Sequence, residues 1–147
     1  MTTSPRVRVA GVDDLPALLR LVAQLHSGQG PPDERAGRAA LEHILERPDH
    51  TLLVAEVDGE PAGTLHLVVA PNLTHDGKPW AIVENVVVDE PHRRRGVGRA
   101  LMDEAMARAR AAGCYKVQLL SAVERDAAAF YESLGFEARA LGYRRYF

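Results

Sequence analysis

The chain has 147 residues, 18 basic and 20 acidic side chains, and a formal charge of −2. A domain of this size buries roughly 68–70% of its unfolded surface, and the near balance of charge argues against a general nucleic-acid binder. Aromatic residues are scarce at 5%, which disfavours base-stacking platforms, and the single cysteine, Cys114, excludes a disulfide framework or a cysteine-based zinc site.

Arg6 to Ala10 alternates charged and β-branched residues and predicts a short first strand. Asp13 or Asp14 then caps a helix with Pro16 in its first turn and Leu15, Leu18, Leu19, Val22 and Leu25 at helical spacing. After the breakers Gly28, Gly30, Pro31 and Pro32, a second helix is expected from Asp33 to about Glu46, stopped by Pro48. Thr51–Val57 and Gly63–Val69 read as strands around a hairpin turn at Asp58-Gly59. A loop over 71–79 leads to Ala81–Val88, a largely apolar strand expected to be central. Val97–Ala112 predicts a helix with Gly113 at its C-terminal end, Tyr115–Leu120 a strand, and Asp126–Leu134 a short helix closed by Gly135. Phe136–Phe147 is expected to add one or two further strands. The order implies a single α/β domain over 1–147: a mixed, mainly antiparallel sheet of six to seven strands flanked by about four helices. No apolar run approaches the 18 or so residues of a membrane helix, and residues 1–9, interrupted by Pro5, Arg6 and Arg8, lack a signal-peptide core. A cytoplasmic protein with no membrane or nucleic-acid partner is therefore expected.

The charge is unevenly spread. Val86-Val87-Val88-Asp89-Glu90-Pro91-His92-Arg93-Arg94-Arg95-Gly96-Val97-Gly98-Arg99-Ala100-Leu101 is a buried strand, a basic turn and a helix start. A helix N-terminus offers unpaired N–H groups and a positive dipole end to an anion. Glycines admit close approach of the backbone, and arginines add charge-assisted bonds. The nucleotide-triphosphate loop is excluded, because no lysine and hydroxyl follow the glycines. The dinucleotide fingerprint is excluded, because Leu101 stands where its third glycine belongs. What remains is Arg93-x-x-Gly96-x-Gly98, a phosphate turn or else a solvated basic helix start.

This segment resembles the acetyl-CoA-binding motif of the GNAT superfamily of N-acetyltransferases, Q/R-x-x-G-x-G/A after a strand. Phe130-Tyr131-Glu132-Ser133-Leu134-Gly135-Phe136 is similar to a second segment of that family, in the family's order. The resemblance spans most of the chain and implies the acyl-CoA N-acyltransferase fold, with acetyl-CoA as cosubstrate. It implies that the backbone of Val86, Val87 and Val88 pairs with the pantetheine arm where two strands splay apart. It further implies that Arg93, Arg94, Arg95, Gly96, Val97, Gly98, Arg99 and Ala100 hold the phosphates, and that Ala127 touches the coenzyme. Glu124 departs from the family's usual asparagine, leaving one contact in doubt.

Acetyl transfer to an amine needs a deprotonated amine, a donor for the thioester oxygen and a proton for the departing thiolate. By the resemblance Tyr131 is the acid near the sulfur; the alternative is a core aromatic. Glu84, the one ionisable residue of Ala81–Val88, is the candidate base. Burial would raise its pKa toward the useful range, with Asn85 pointing the other way. The alternative for Glu84 is a pocket residue in a solvated cleft. His66, His75 and His92 show no metal-binding spacing, so no metal is expected. Cys114 reads as a small buried side chain, and Asp89 and Glu90 as structural or solvent-facing.

Within the superfamily, Glu84–Val88, Gly113–Val117 and Phe130–Glu132 are similar to the glucosamine-6-phosphate N-acetyltransferases. Acceptor choice lies instead in residues 13–47, 71–79 and the C-terminal segment, where no sugar-phosphate signature stands; Arg144 and Arg145 would suit an anionic acceptor. The acceptor is then a small-molecule or peptide amine. A non-catalytic acyl-CoA sensor is the competing class, and a homodimer through Tyr143–Phe147 is expected from edge pairing.

Overall fold

In the computed structural model, which describes residues 3–26 and 28–147, the elements follow the expected order. They are β1 (Arg6–Val9), α1 (Leu15–Val22), α2 (Glu34–Leu45), β2 (His50–Val57), β3 (Glu60–Ala70), β4 (Trp80–Val88), α3 (Val97–Ala111), β5 (Val117–Leu119) and α4 (Ala128–Ser133). The described sheet runs β1-β2-β3-β4-β5, antiparallel throughout except for β5, which lies parallel to β4.

Local chemistry accounts for the junctions. Asp58 and Gly59 both take positive φ, 53° and 81°, the geometry of a tight hairpin whose twist suits its strands. The Asp33 carboxylate accepts the Ala36 N–H at 2.9 Å and starts α2. Asp14 precedes α1, but its carboxylate turns back to the Gly11 N–H at 2.7 Å and to Arg8 at 2.8 Å.

The sheet separates two apolar layers. On one face Leu101, Met102, Ala105 and Ala109 of α3 pack on Leu53, Leu65, Leu67 and Val83. On the other, Leu15, Leu18 and Leu41 of α1 and α2 close on Val54. Each fully buried Leu or Met contributes roughly 1.5–3 kcal/mol; α3 seats Leu101 and Met102, and α1 and α2 seat Leu15, Leu18, Leu21 and Leu41, so both layers are anchored by large apolar side chains.

Two expectations are corrected. The described residues contain five strands rather than six to seven. The difference lies in the tail: residues 137–147 are exposed and belong to no strand. Gly142 passes Leu120 so closely that a Cβ would stand 2.5 Å from its Cδ2, yet no ladder forms. Leu141, Tyr143, Tyr146 and Phe147 have strand-forming side chains but no surface of their own chain to bury them.

Candidate active site

The site begins with a failure of pairing in β4. Against β3, Glu84 stands opposite His66 and Val87 opposite Thr64. Asn85 and Val86 therefore share Leu65 as their single counterpart, a β-bulge. Asn85 takes φ +54°, a conformation asparagine tolerates better than β-branched residues. On the other side, parallel pairing with β5 ends at Val83 and Leu119. Beyond it Val86–Val88 stay attached to β3 alone, and their second edge is open to an extended ligand.

The basic turn follows. Among the described residues, no backbone carbonyl or side chain accepts from the N–H groups of residues 94–99; the first helical bond of α3 is Ala100 N–H to Gly96 O at 3.0 Å. Gly96 caps α3 at φ +81° and Arg94 lies at φ +63°, which turns successive N–H groups toward one concavity. The arginines divide their work. Arg93 Nε donates to the Val88 carbonyl at 3.1 Å, and Arg99 Nη2 donates to Ser133 Oγ at 3.0 Å. Arg94 and Arg95 are exposed with no side-chain partner among the described residues.

The two glycine-containing motifs meet in space. A Cβ on Gly98 would stand 3.2 Å from Phe130 Cζ and 3.6 Å from Val88 Cγ2. Gly98 thus serves close packing of α3 on α4 and β4, whereas Gly96 serves the turn. Ser133 Oγ, which accepts from Arg99, donates to the Phe130 carbonyl at 2.6 Å. Ala127 precedes α4, and its carbonyl accepts the Tyr131 N–H at 3.2 Å. Tyr131 is half-buried beside Phe130 and Phe136 against the layer that Val86 and Val88 also join. Burial pushes its phenol above 10.0, partly offset by Arg125, so the hydroxyl stays protonated and able to donate at neutral pH.

Glu84 lies on the opposite face of β4, beside His66. It is exposed, not buried, because β4 loses its cover at the bulge, where Glu84 and Asn85 are its only exposed residues. Asn85 also departs from expectation. The extra residue breaks the strict alternation of the strand, and Asn85 lines a cleft of about 430 Å³ with Val22, Leu25, His26, Gln29, Gly30, Pro31 and Pro32. No lysine, arginine, aspartate or glutamate stands among these described lining residues. At its rim, Arg125 donates to the Leu25 carbonyl, while neighbouring Glu124 is exposed. Behind Glu84, His50 Nδ1 and His66 Nε2 share a hydrogen bond of 2.9 Å, and burial, with His50 nearby, holds His66 below 6.5.

The structure therefore runs Val86–Val88 directly into residues 94–100 beyond the last β5 pair, and packs Gly98 against Phe130 of α4. It holds Tyr131 on the same apolar layer with its N–H on the Ala127 carbonyl, and sets Glu84 on the other face of β4. Sequence reasoning missed Asn85, Val22 and Leu25 as cleft residues. An asparagine inside an apolar strand, beside its one carboxylate, was the available signal for the first. Among the described residues no cluster of three His, Cys, Asp or Glu side chains forms a metal site, and no helix is long and apolar enough to cross a membrane.

The sequence profile of the acetyltransferase (GNAT) family matches residues 17–136. A glucosamine 6-phosphate N-acetyltransferase of Trypanosoma brucei brucei is 32% identical over 137 residues, covering 90% of this chain and 88% of its own. A putative acetyltransferase of Agrobacterium tumefaciens superposes with a TM-score of 0.90 at 37% identity, covering 97% of this chain and 99% of its own. A Bacillus halodurans protein described as a transcriptional regulator also superposes at 0.90, with 29% identity over the whole of both chains.

Proposed function

The chain belongs to the acetyltransferase (GNAT) family, the acetyl-CoA-dependent N-acetyltransferases, and from that premise we propose that its one domain, residues 1–147, transfers acetyl to a primary amine by direct attack in a ternary complex. The observation that carries the reading is the combination of an open edge at Val86–Val88 with unsatisfied N–H groups over 94–99. An arm rich in amide groups fits the first as an added strand. A pyrophosphate fits the second, with Arg94 and Arg95 free for further phosphate charge. The net charge of −2 hides this local match to a polyanion.

Acetyl-CoA supplies an activated thioester. Tyr131 donates its proton to the thiolate leaving group; its partly buried phenol is protonated and available. Glu84, on the cleft side of β4, takes the ammonium proton of the acceptor through water, since a carboxylate at an open position is hydrated. N–H groups on the open β4 edge stabilise charge on the acyl oxygen. Glu84 and Tyr131 thus handle the two protons from opposite faces of one strand.

A second acceptor reading, glucosamine 6-phosphate, is supported by the name of the trypanosomal relative. It requires a cation for the phosphate, and Arg125 at the Leu25 rim is the candidate. We place the enzyme in the cytoplasm and assign the exposed apolar tail, Leu141 to Phe147, to a homodimer contact with a second copy. Sedimentation of the full chain against a Leu141→Asp, Tyr143→Asp variant tests that contact; a monomer in both removes it.

The experiment for the function is thiol release from acetyl-CoA over a panel of amines that includes glucosamine 6-phosphate, alongside coenzyme A titration. Turnover with at least one amine is expected. Coenzyme binding without turnover for any amine would favour a non-catalytic acyl-CoA sensor instead.

A further inference from the structure

Asp89 follows β4 and opens the basic turn, and its side chain is only 13% exposed. Its Oδ2 accepts from Arg20 Nη1 at 2.6 Å and its Oδ1 from Gln24 Nε2 at 2.9 Å. Gln24 returns the contact, its Oε1 accepting the Glu90 N–H at 3.2 Å. Arg20 Nη2 also reaches the Pro61 carbonyl at 3.1 Å, while the Asp89 N–H bonds to Ala62 O at 2.8 Å. His92 Nδ1, buried and without a hydrogen-bond partner among the described residues, lies 3.9 Å from the same carboxylate. One carboxylate therefore ties the end of α1 and the turn after it to the hairpin and to the phosphate turn.

The spacing gives this cluster its meaning. Arg20 and Gln24 are one helical turn apart, so a single acceptor fixes both the position and the rotation of that segment. Val22 and Leu25, in the same segment, line the acceptor cleft. On the far side of Asp89 the chain runs within a few residues into the free N–H groups of 94–99. Charge-assisted bonds to a poorly exposed carboxylate are short and strong; burial works to raise the Asp89 carboxyl, and its bonds to Gln24 and Arg20, with the nearby charge, outweigh that and hold it below 3.8.

We propose that Asp89 is a positioning residue that couples the two halves of the site: ordering of the phosphate turn by coenzyme A is passed through Arg20 and Gln24 to the cleft wall at 20–25. The inference rests on the coenzyme reading above. Asp89 touches neither substrate. It determines whether the acceptor wall stands in register when the coenzyme is in place. Coupling between sites of this kind commonly changes an equilibrium about fivefold or more.

The test is hydrogen exchange on the full chain with and without saturating coenzyme A, read at the amides of 20–25 and 94–99. In the wild type, protection is expected at both segments, about fivefold or more at 20–25. In Asp89→Asn, which keeps the shape and loses the charge, protection at 94–99 should persist and that at 20–25 should vanish. Gln24→Leu should lose it likewise, and Arg20→Lys, which keeps a cation, should retain part of it. Gln24→Leu leaves the carboxylate in place and decides the matter should Asp89→Asn not fold. Coenzyme binding to the wild type without protection at 20–25, or with protection there that survives in both variants, overturns the coupling alone. Failure of the wild type to bind coenzyme A overturns the proposed function, and the coupling with it.

Discussion

The two halves of β4 are built from similar residues and behave differently. From Ala81 to Val83 the strand is paired on both sides, and Ala81 and Val83 are buried. From Glu84 onward it keeps β3, loses β5 and exposes two residues at a bulge. The first half is scaffold; the second presents an open hydrogen-bonding edge, a carboxylate, an asparagine and the start of the basic turn. The lesson is that the candidate site lies where the sheet stops satisfying itself, and that the bulge decides which face each side chain takes.

That contrast is broken most severely at Tyr131, the proposed acid beside the open half. Tyr131→Phe keeps the ring packing and removes the proton, so kcat should fall by about 10²–10⁴-fold with little change in the KM for acetyl-CoA. Undiminished turnover in steady-state kinetics would remove the assignment of the acid. Glu84→Gln should cost less, about a hundredfold at most, because water remains in the exposed cleft to take the proton. Its deficit should be greatest below the acceptor amine's own pKa, and an unchanged pH–rate profile would argue against a base role. Gly98→Val tests whether the open half depends on close packing. A side chain there meets Phe130 and Val88, and overpacking of this kind costs about 1–3 kcal/mol. Coenzyme affinity and Tm should fall together, and loss of neither would separate the two motifs.

A smaller effect sharpens the comparison from the β3 side. Burial holds His66 below its ordinary 6.5, so the unfolded chain binds the proton more readily. Stability then falls as pH drops through about 6.5 toward the lower folded value. Tm measured between pH 7 and 5 should decline on acidification, and His66→Gln should flatten that limb; an unaltered slope would contradict it. The least effect is expected at Cys114, whose thiol burial pushes above 9.0. Cys114→Ala should leave kcat/KM within about twofold, since little thiolate is present to react.

Much of the candidate site's framework was legible because it depends on local rules. The strand, basic turn and helix over 86–101 sit as the residues predict, as do the Asp58-Gly59 hairpin and the Asp33 cap. What escaped depends on partners distant in the sequence. The bulge exists only in the register of β4 against β3, so alternation placed Asn85 on the wrong face, and of the two readings of Glu84 the exposed one is found. The clamp at Asp89 joins residues separated by 65 and 69 positions, and no spacing rule reaches that far. The tail has strand-forming composition, but a strand needs a neighbour, and this chain provides none for 137–147.

The central claim is that the open edge of β4 and the turn beyond it form the coenzyme site. Amide chemical shifts of the full chain, recorded as coenzyme A is added, test it most directly. The account predicts saturable changes that are largest at 86–88 and 94–99, with Trp80–Val83 nearly still. Changes centred elsewhere on the molecule, or none at all, would contradict it.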